Sequence, residues 1–187
     1  MLRYVEEAGK YVELTGFRNV GIKDAEEFVK AARKKTPQEA SVQFFTAELV
    51  ATWQHLYFAV LNALLAFINE RNISKSVAME IMLYASAQRQ IRKAIQFIGI
   101  KRNCANVAVV IIGANPDSVK TVLSAVSKCV GVEPDETVLE LTNEKTRSIR
   151  KAFGISAEEL EAVDKKNVKQ ALVNLVIERI ALLSTKL

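Results

Sequence analysis

Histidine, cysteine, proline and glycine are all scarce in this 187-residue chain, which has one, two, three and seven of them. A single histidine, His55, and two cysteines, Cys104 and Cys129, are too few to predict a metal site. Two cysteines also argue against a disulfide scaffold and favour a cytoplasmic protein. The scattered glycines form no Walker A or GxGxxG motif, so we predict no nucleotide-phosphate loop and no cofactor.

Long uninterrupted apolar runs are also missing. The most hydrophobic window, residues 50–68, is interrupted by Gln54, His55 and Asn62, whereas a membrane span needs about 20 apolar residues. The first ten residues lack the apolar core of a signal peptide. Since half of the residues are hydrophobic, we expect a single domain over residues 1–187 with a buried core and no membrane segment.

Acidic residues are absent between Glu80 and Asp117. This stretch holds five basic residues, namely Arg89, Arg92, Lys93, Lys101 and Arg102. The rest of the chain has 21 basic and 21 acidic residues, so the whole net charge of +5 lies in this stretch. A concentrated positive field favours a polyanionic partner such as nucleic acid. The alternative is a solvated basic helix without a partner, which is the commoner meaning of such a cluster taken alone.

Hydrophobic periodicity predicts three strands, with a fourth short strand left open at 137–141. The strands are expected at 11–18, 42–47 and 106–113, and the helices at 25–35, 49–70, 77–86, 87–98, 116–129, 143–153, 156–163 and 165–184. Asp24, Ser76 or Ser74, and Asn115 are suitable N-caps, and Gly99 is placed to end a helix in a left-handed turn. At least one helix separates each strand from the next. We therefore expect an α+β fold, dominated by helix, with a small, partly parallel mixed sheet.

The segment 86–99 is predicted to be an amphipathic helix. Helical spacing places Arg89, Arg92, Lys93 and Gln96 on one face, and Ile91, Ala94, Ile95 and Ile98 on the opposite face, towards the core. Like charges at these spacings repel mildly, and no acidic residue relieves them. This arrangement raises the expectation of an anionic ligand.

The same segment carries a recognisable motif. It consists of Met79-Glu80, then Ala85-Ser86-Ala87-Gln88-Arg89-Gln90-Ile91, Ala94-Ile95 and Ile98-Gly99. This pattern resembles the archaeal branch of the PRPK-binding protein family, the small kinase-binding subunits of the KEOPS (EKC) complex. The chain departs from the pattern at Ala87, where archaeal relatives often have glycine. That departure puts in question any role that requires an unusual backbone angle at this position.

The resemblance implies a non-catalytic subunit of a heteromeric complex that modifies tRNA. Family members bind and support a small atypical kinase that works as an ATPase, and help to recruit tRNA, including its single-stranded 3′ end, for threonylcarbamoyladenosine formation. Ser86, Gln88, Arg89 and Gln90 match motif positions suited to RNA contact, and charge and spacing add Arg92, Lys93, Lys101 and Arg102. We expect the kinase contact on an exposed apolar patch shared by the long helix and the C-terminal helix.

Two alternatives stay open. The protein is a structural adaptor whose basic helix docks on an acidic protein surface, without RNA, or it is an unrecognised enzyme with His55 or a glutamate as base. His55 lies in a helix between apolar neighbours, which is more typical of a core histidine than of a catalytic one. We therefore predict no catalytic residue.

Overall fold

A four-stranded antiparallel sheet forms the centre of the protein. The structure, a computed structural model, describes residues 1–37 and 39–185. Its strands are β1 (Leu2–Val5), β2 (Lys10–Phe17), β3 (Ser41–Thr46) and β4 (Val107–Gly113). They lie in the order β1-β2-β4-β3, and each neighbouring pair is antiparallel. The last strand in sequence therefore lies between β2 and β3.

Eight α-helices surround this sheet in the described part of the chain. They are α1 (Ala25–Lys34), α2 (Trp53–Ile68), α3 (Val77–Ser86), α4 (Ile91–Ile98), α5 (Pro116–Val130), α6 (Asn143–Phe153), α7 (Ala157–Asp164) and α8 (Val168–Ala181). As predicted, Asp24, Ser76 and Asn115 cap α1, α3 and α5 by accepting hydrogen bonds from backbone N–H groups in the first turn. The helix predicted at 87–98 is shorter, because it begins only at Ile91.

The prediction of a partly parallel sheet was wrong. β2 and β3 do run in the same direction, because both are antiparallel to β4, and α1 connects them as a crossover helix would. They are not hydrogen-bonded to each other, since β4 lies between them. A helix between two strands predicts their relative direction, but not whether a later strand will separate them.

Both faces of the sheet are covered. On β4, Val107, Val109 and Ile111 belong to one hydrophobic cluster, and the alternate residues Ala108, Val110 and Ile112 belong to another. The first cluster lies under α1 and α5, and the second contains side chains from the other six helices. The apolar run of β4 was correctly interpreted as a strand buried on both faces.

Three local features differ from the sequence-based prediction. The edge strand β1 was missed because only its Val5 is buried, so it carries little hydrophobic signal. Gly99 ends α4 with extended backbone (φ −64°, ψ 154°), not in a left-handed turn. Residues 137–141 do not form a strand, since Glu136–Leu139 is a 3₁₀ helix.

Lys145 explains the 3₁₀ helix. Its buried ammonium group donates hydrogen bonds to the carbonyl oxygens of Val138 (3.1 Å) and Glu140 (2.9 Å), so these groups need no sheet partner. Val138 also packs directly on Gly16 of β2, where an added Cβ would lie only 2.7 Å from it. The segment is therefore fixed across the end of the sheet as a short helix.

His55 joins the start of α2 to the end of α3. It is fully buried, its Nδ1 accepts a hydrogen bond from the Ala51 N–H (3.1 Å), and its Nε2 lies 2.8 Å from the Ala85 carbonyl oxygen. These partners require the neutral ring with the proton on Nε2. Burial lowers the pKa of His55 to about 4. The histidine is thus a core residue with both nitrogens used.

We predict that stability falls on acidification because of His55. Its pKa is about 6.5 in the unfolded chain and about 4 in the folded protein, so between these values the unfolded state binds the extra proton. The free energy of unfolding should fall by about 1.2 kcal/mol between pH 6 and pH 5. Urea denaturation at several pH values measures this slope.

The control is His55→Gln, which keeps an amide able to donate and accept but does not titrate. Since His55 is the chain's single histidine, this variant should be nearly independent of pH in that window. An equal slope in both proteins would contradict the assignment.

Candidate functional site

The motif residues form a tight turn between α3 and α4. The Ala87 N–H donates to the Tyr84 carbonyl (2.8 Å), and the Gln88 N–H donates to the Leu83 carbonyl (3.0 Å). This is a Schellman arrangement, which requires a left-handed residue after the helix. Ala87 supplies it with a φ of 52°, although it has a Cβ. The left-handed backbone conformation is therefore present at position 87, although the residue is alanine.

Ser86, the first predicted contact residue, does not reach the surface. It is 1% exposed, and its hydroxyl donates to the carbonyl oxygens of Met82 (2.8 Å) and Leu83 (3.1 Å). Glu80, on the same helix, is also buried, and its carboxylate accepts hydrogen bonds from the N–H groups of Ile73 and Ser74. Both polar side chains thus stabilise α3 and the loop before it.

The other seven predicted contact residues are accessible. Gln88 is half-buried, and the exposed ones are Arg89, Gln90, Arg92, Lys93, Lys101 and Arg102. Arg92 and Lys93 lie in the first turn of α4, and Lys101 and Arg102 follow its C-terminal end. The short helix therefore has two cations near each end.

Arg89 faces a different part of the molecule. It lines a cavity of about 340 Å³ with the C-terminal half of α2 and residues 183–185. It also lies close to Tyr84, whose pKa is raised by burial and by Glu80 and partly lowered again by Arg89. Arg89 thus connects the turn to the end of α2.

Half of the predicted apolar face of α4 points away from the core. Ala94 and Ile98 are fully buried, but Ile91 and Ile95 are 42% and 44% exposed. The prediction that all four face the core was wrong, because α4 packs beside α3 through a narrow stripe. Two exposed isoleucines beside Arg92 and Lys93 make a surface that is both apolar and basic.

Ile95 belongs to a groove of about 640 Å³ at the free edge of β3. One wall is α1, and the other is formed by α3, α4 and the residues after α4. The apolar lining includes Val29, Phe44, Met79, Met82, Ile95 and Ile100. The wall from α1 adds three cations, Lys30, Arg33 and Lys34, and the acid Glu26 near the start of that helix.

Sequence reasoning missed the cations of α1. Lys30, Arg33 and Lys34 are spaced by three and four residues, which places them on one helix face, so a signal existed. Glu26 and Glu27 precede them, and such mixed charges are typical of an ordinary solvated helix. What the sequence did not indicate is that this face lies opposite α4. Arg33 also donates to the Gln43 side chain (3.3 Å) across the edge of β3.

Among the described residues there is neither a cluster of metal-ligand side chains nor a membrane-spanning helix. Within 1–37 and 39–185, no three His, Cys, Asp or Glu side chains come together as metal ligands would. None of the helices in this part of the chain has the length and hydrophobicity needed to cross a bilayer. The groove itself is lined mainly by apolar and basic side chains, together with the acid Glu26.

Comparison with known proteins identifies the family. The sequence profile described as kinase binding protein CGI-121 matches residues 17–184, which is most of the chain. The chain belongs to the CGI-121 family. It is also similar to the regulatory protein Cgi121 of Methanocaldococcus jannaschii, with 34% identity over 113 residues, or 60% of this chain and 70% of that protein.

The CGI-121 match includes both walls of the groove and the turn between α3 and α4. It begins at the last residue of β2, so the hairpin of β1 and β2 lies almost entirely before it. In this hairpin the Arg3 guanidinium lies 4.2 Å from the centre of the Trp53 ring on α2. The hairpin thus packs on α2, away from the groove.

We predict that Ala87→Gly stabilises the protein. A left-handed conformation costs an alanine roughly 1–2 kcal/mol, whereas glycine adopts it freely and loses about 0.5–1 kcal/mol through its more flexible unfolded chain. The free energy of unfolding should therefore rise by about 0.5–1 kcal/mol, as measured by denaturant titration. Ala162→Gly, at an exposed position inside α7, is the control and should lower it by about 1 kcal/mol. A loss of stability in both variants would contradict the left-handed turn.

Proposed function

We propose that this CGI-121 family protein is a non-catalytic regulatory subunit of a KEOPS-type complex in the cytoplasm. In this proposal it binds and activates a small kinase partner that works as an ATPase. It also recruits tRNA through the single-stranded 3′ end, for threonylcarbamoyladenosine formation. The family's description as kinase-binding supports the first role. The groove between α1 and α4 is the observation that supports the second.

The groove suits a single-stranded end of RNA. Its volume of about 640 Å³ is that of a small-molecule site, enough for one or two unpaired nucleotides. Bases need apolar side chains to lie against, and Ile95, Met79 and Met82 supply them. Phosphates need cations, and Lys30 and Arg33 on α1 line the groove. On α4, Arg92 and Lys93 lie three and two residues before Ile95 and are not part of the lining.

The turn between α3 and α4 supplies further polar groups, at the other end of this helix pair from the residues that line the groove. Gln88 and Gln90 carry amides that donate and accept, and such groups recognise ribose hydroxyls and the edges of unstacked bases. We propose that these glutamines, with Arg89, Lys101 and Arg102, contact the nucleotides that precede the terminal ones. Ser86 is left out of this interface because it is buried.

The kinase contact is proposed on α2 and the end of α8. Phe58 and Ile68 on α2 are 36% and 54% exposed, and Leu182, just after α8, is 39% exposed. α2 has apolar side chains around most of its circumference, whereas its contacts with the sheet, α3 and α8 bury only part of them. Exposed apolar side chains on packed helices are typical of protein interfaces.

A structural adaptor without RNA contact is the second candidate. It would use the same basic surface for an acidic protein. The exposed isoleucines favour RNA bases over a purely charged partner, since an acidic surface would gain little from Ile91 and Ile95.

We predict that Ile95→Glu weakens binding of tRNA at least tenfold. The substitution places a carboxylate in the proposed base site, and the fold should survive because the side chain is 44% exposed. Binding to tRNA with and without its 3′ CCA, measured by fluorescence anisotropy, checks this. Val163→Glu, on α7 and 43% exposed, is the matched control and should bind like the wild type.

The charges of α4 give a second test of the same site. Arg92→Glu with Lys93→Glu should lower affinity and reduce the slope of log K against log salt by about 0.7 for each single-stranded phosphate that the two cations neutralise. Lys166→Glu with Lys169→Glu changes the net charge equally at exposed positions near the start of α8. An equal fall in affinity in the two double variants, or CCA-independent binding by the wild type, would refute the groove as the 3′-end site.

We predict that Ile68→Asp weakens kinase binding tenfold or more and lowers the partner's stimulated ATP hydrolysis. A buried interface residue replaced by a charge leaves that charge desolvated, which is costly. Titration of the cognate kinase by calorimetry measures the effect, with Val163→Asp as the control of similar exposure. Normal binding by Ile68→Asp, with tRNA binding intact, would place the kinase elsewhere.

A further inference from the structure

A second basic surface lies next to the groove, on α5 and the end of α1. Its centre is a shallow depression of about 510 Å³. The depression is lined by Lys35, Lys120, Thr121, Ser124, Ala125 and Lys128. These residues include three cations and two hydroxyl groups, and the lining has no carboxylate.

The cations of α5 form a row along the outer face of the helix. Lys120, Ser124 and Lys128 are spaced by four residues, so the two lysines lie about 12 Å apart along the axis. Val122 and Val126 point the other way, into the core beneath the sheet. Acidic residues lie only near the two ends of this helix.

These acidic residues are Asp117 in the first turn and Glu133 beyond the last turn. They flank the row without interrupting it. Neither lines this depression, although Glu133 lines the adjoining one together with Lys120 and Lys128.

The C-terminal end of α1 connects this surface to the groove. Lys35, just after α1, has its ammonium nitrogen 3.4 Å from the Cys129 sulfur of α5, so the two helices meet there. The preceding residue, Lys34, lines the groove, and Lys35 lines the depression. One positive surface therefore extends from the groove, around the end of α1, onto α5.

We propose that this α1–α5 surface binds the phosphate backbone of the duplex stem from which the single-stranded 3′ end emerges. The inference rests on the proposed function, because it needs the 3′ end to lie in the groove. The polar groups of the depression are lysine ammonium and hydroxyl groups, which hold phosphates and sugars, and no aromatic side chain lines it to stack on a base. Double-stranded RNA is recognised mainly through its phosphates and 2′-hydroxyls, which such a surface matches.

The test compares three RNAs on the full-length protein. They are intact tRNA, a single-stranded oligonucleotide ending in CCA, and a blunt duplex with the sequence of the stem. Lys120→Glu with Lys128→Glu should weaken binding of tRNA about tenfold at low salt. Its salt slope should fall by about 0.9 for each duplex phosphate that the two lysines neutralise. Binding of the single-stranded oligonucleotide should not change, and weak binding of the blunt duplex should disappear.

Lys166→Glu with Lys169→Glu serves again as the control of equal net charge, on a helix that packs on the other face of the sheet. Unchanged tRNA affinity in the α5 variant, or the same decrease in the control, overturns the α1–α5 surface as a stem site. The proposal is also overturned if the α5 variant binds tRNA normally but no longer binds the kinase, because the surface would then belong to a protein interface. Failure of the groove itself gives a different result, in which Ile95→Glu leaves binding of the oligonucleotide unchanged.

Discussion

The insertion of β4 between β2 and β3 is the constraint on which the rest of the structure depends. Seven consecutive residues, Val107–Gly113, are buried on both faces, so the sheet must be covered on both sides. α1 and α5 cover one face, and the remaining helices pack on the other. Because β4 lies between β2 and β3, β3 becomes an edge strand, as β1 is at the other side of the sheet. α1 and the pair of α3 and α4 approach this edge from opposite faces, which creates the groove.

The position of the turn between α3 and α4 depends on a few buried polar contacts. His55 binds the Ala85 carbonyl at the end of α3, and Glu80 fixes the loop at its start. The turn itself needs a left-handed residue at position 87, and Ala87 adopts this strained conformation. These contacts are distant in sequence from the exposed cations that they position. Hydrogen bonds at both ends of α3 therefore fix the helix from which the turn and α4 continue.

Sequence patterns predicted those features that depend on local chemistry. The buried run of β4, the caps Asp24 and Asn115, and the core nature of His55 follow from periodicity, side-chain hydrogen bonding and apolar neighbours. Strand pairing was not predictable in the same way. The pattern of β2 and β3 is the same whether they are neighbours or are separated by a strand about 60 residues further on, because side-chain alternation does not depend on which strand is adjacent.

The site was predictable only in part for the same reason. The acid-free stretch and the motif located the cations of α4 and the turn, because both signals are contiguous in sequence. The exposure of Ile91 and Ile95 depends on how little of α4 is covered by α3, which is a tertiary property. Likewise, Lys30 and Arg33 gain significance only because α1 and α4 face each other at the edge of β3. A groove between two elements from distant parts of the chain has no sequence signature of its own.

The apolar and the basic surfaces lie on different sides of the protein, so the proposed kinase and RNA partners have separate binding surfaces. Exposed apolar side chains of α2 and the end of α8 lie on the side of the sheet opposite α1 and α5, whose outer surface is basic. If the kinase occupies the first surface and RNA the groove and the second, neither partner covers the other's contacts. Arg89 lies between them, because it belongs to the turn and also lines the cavity at the end of α2.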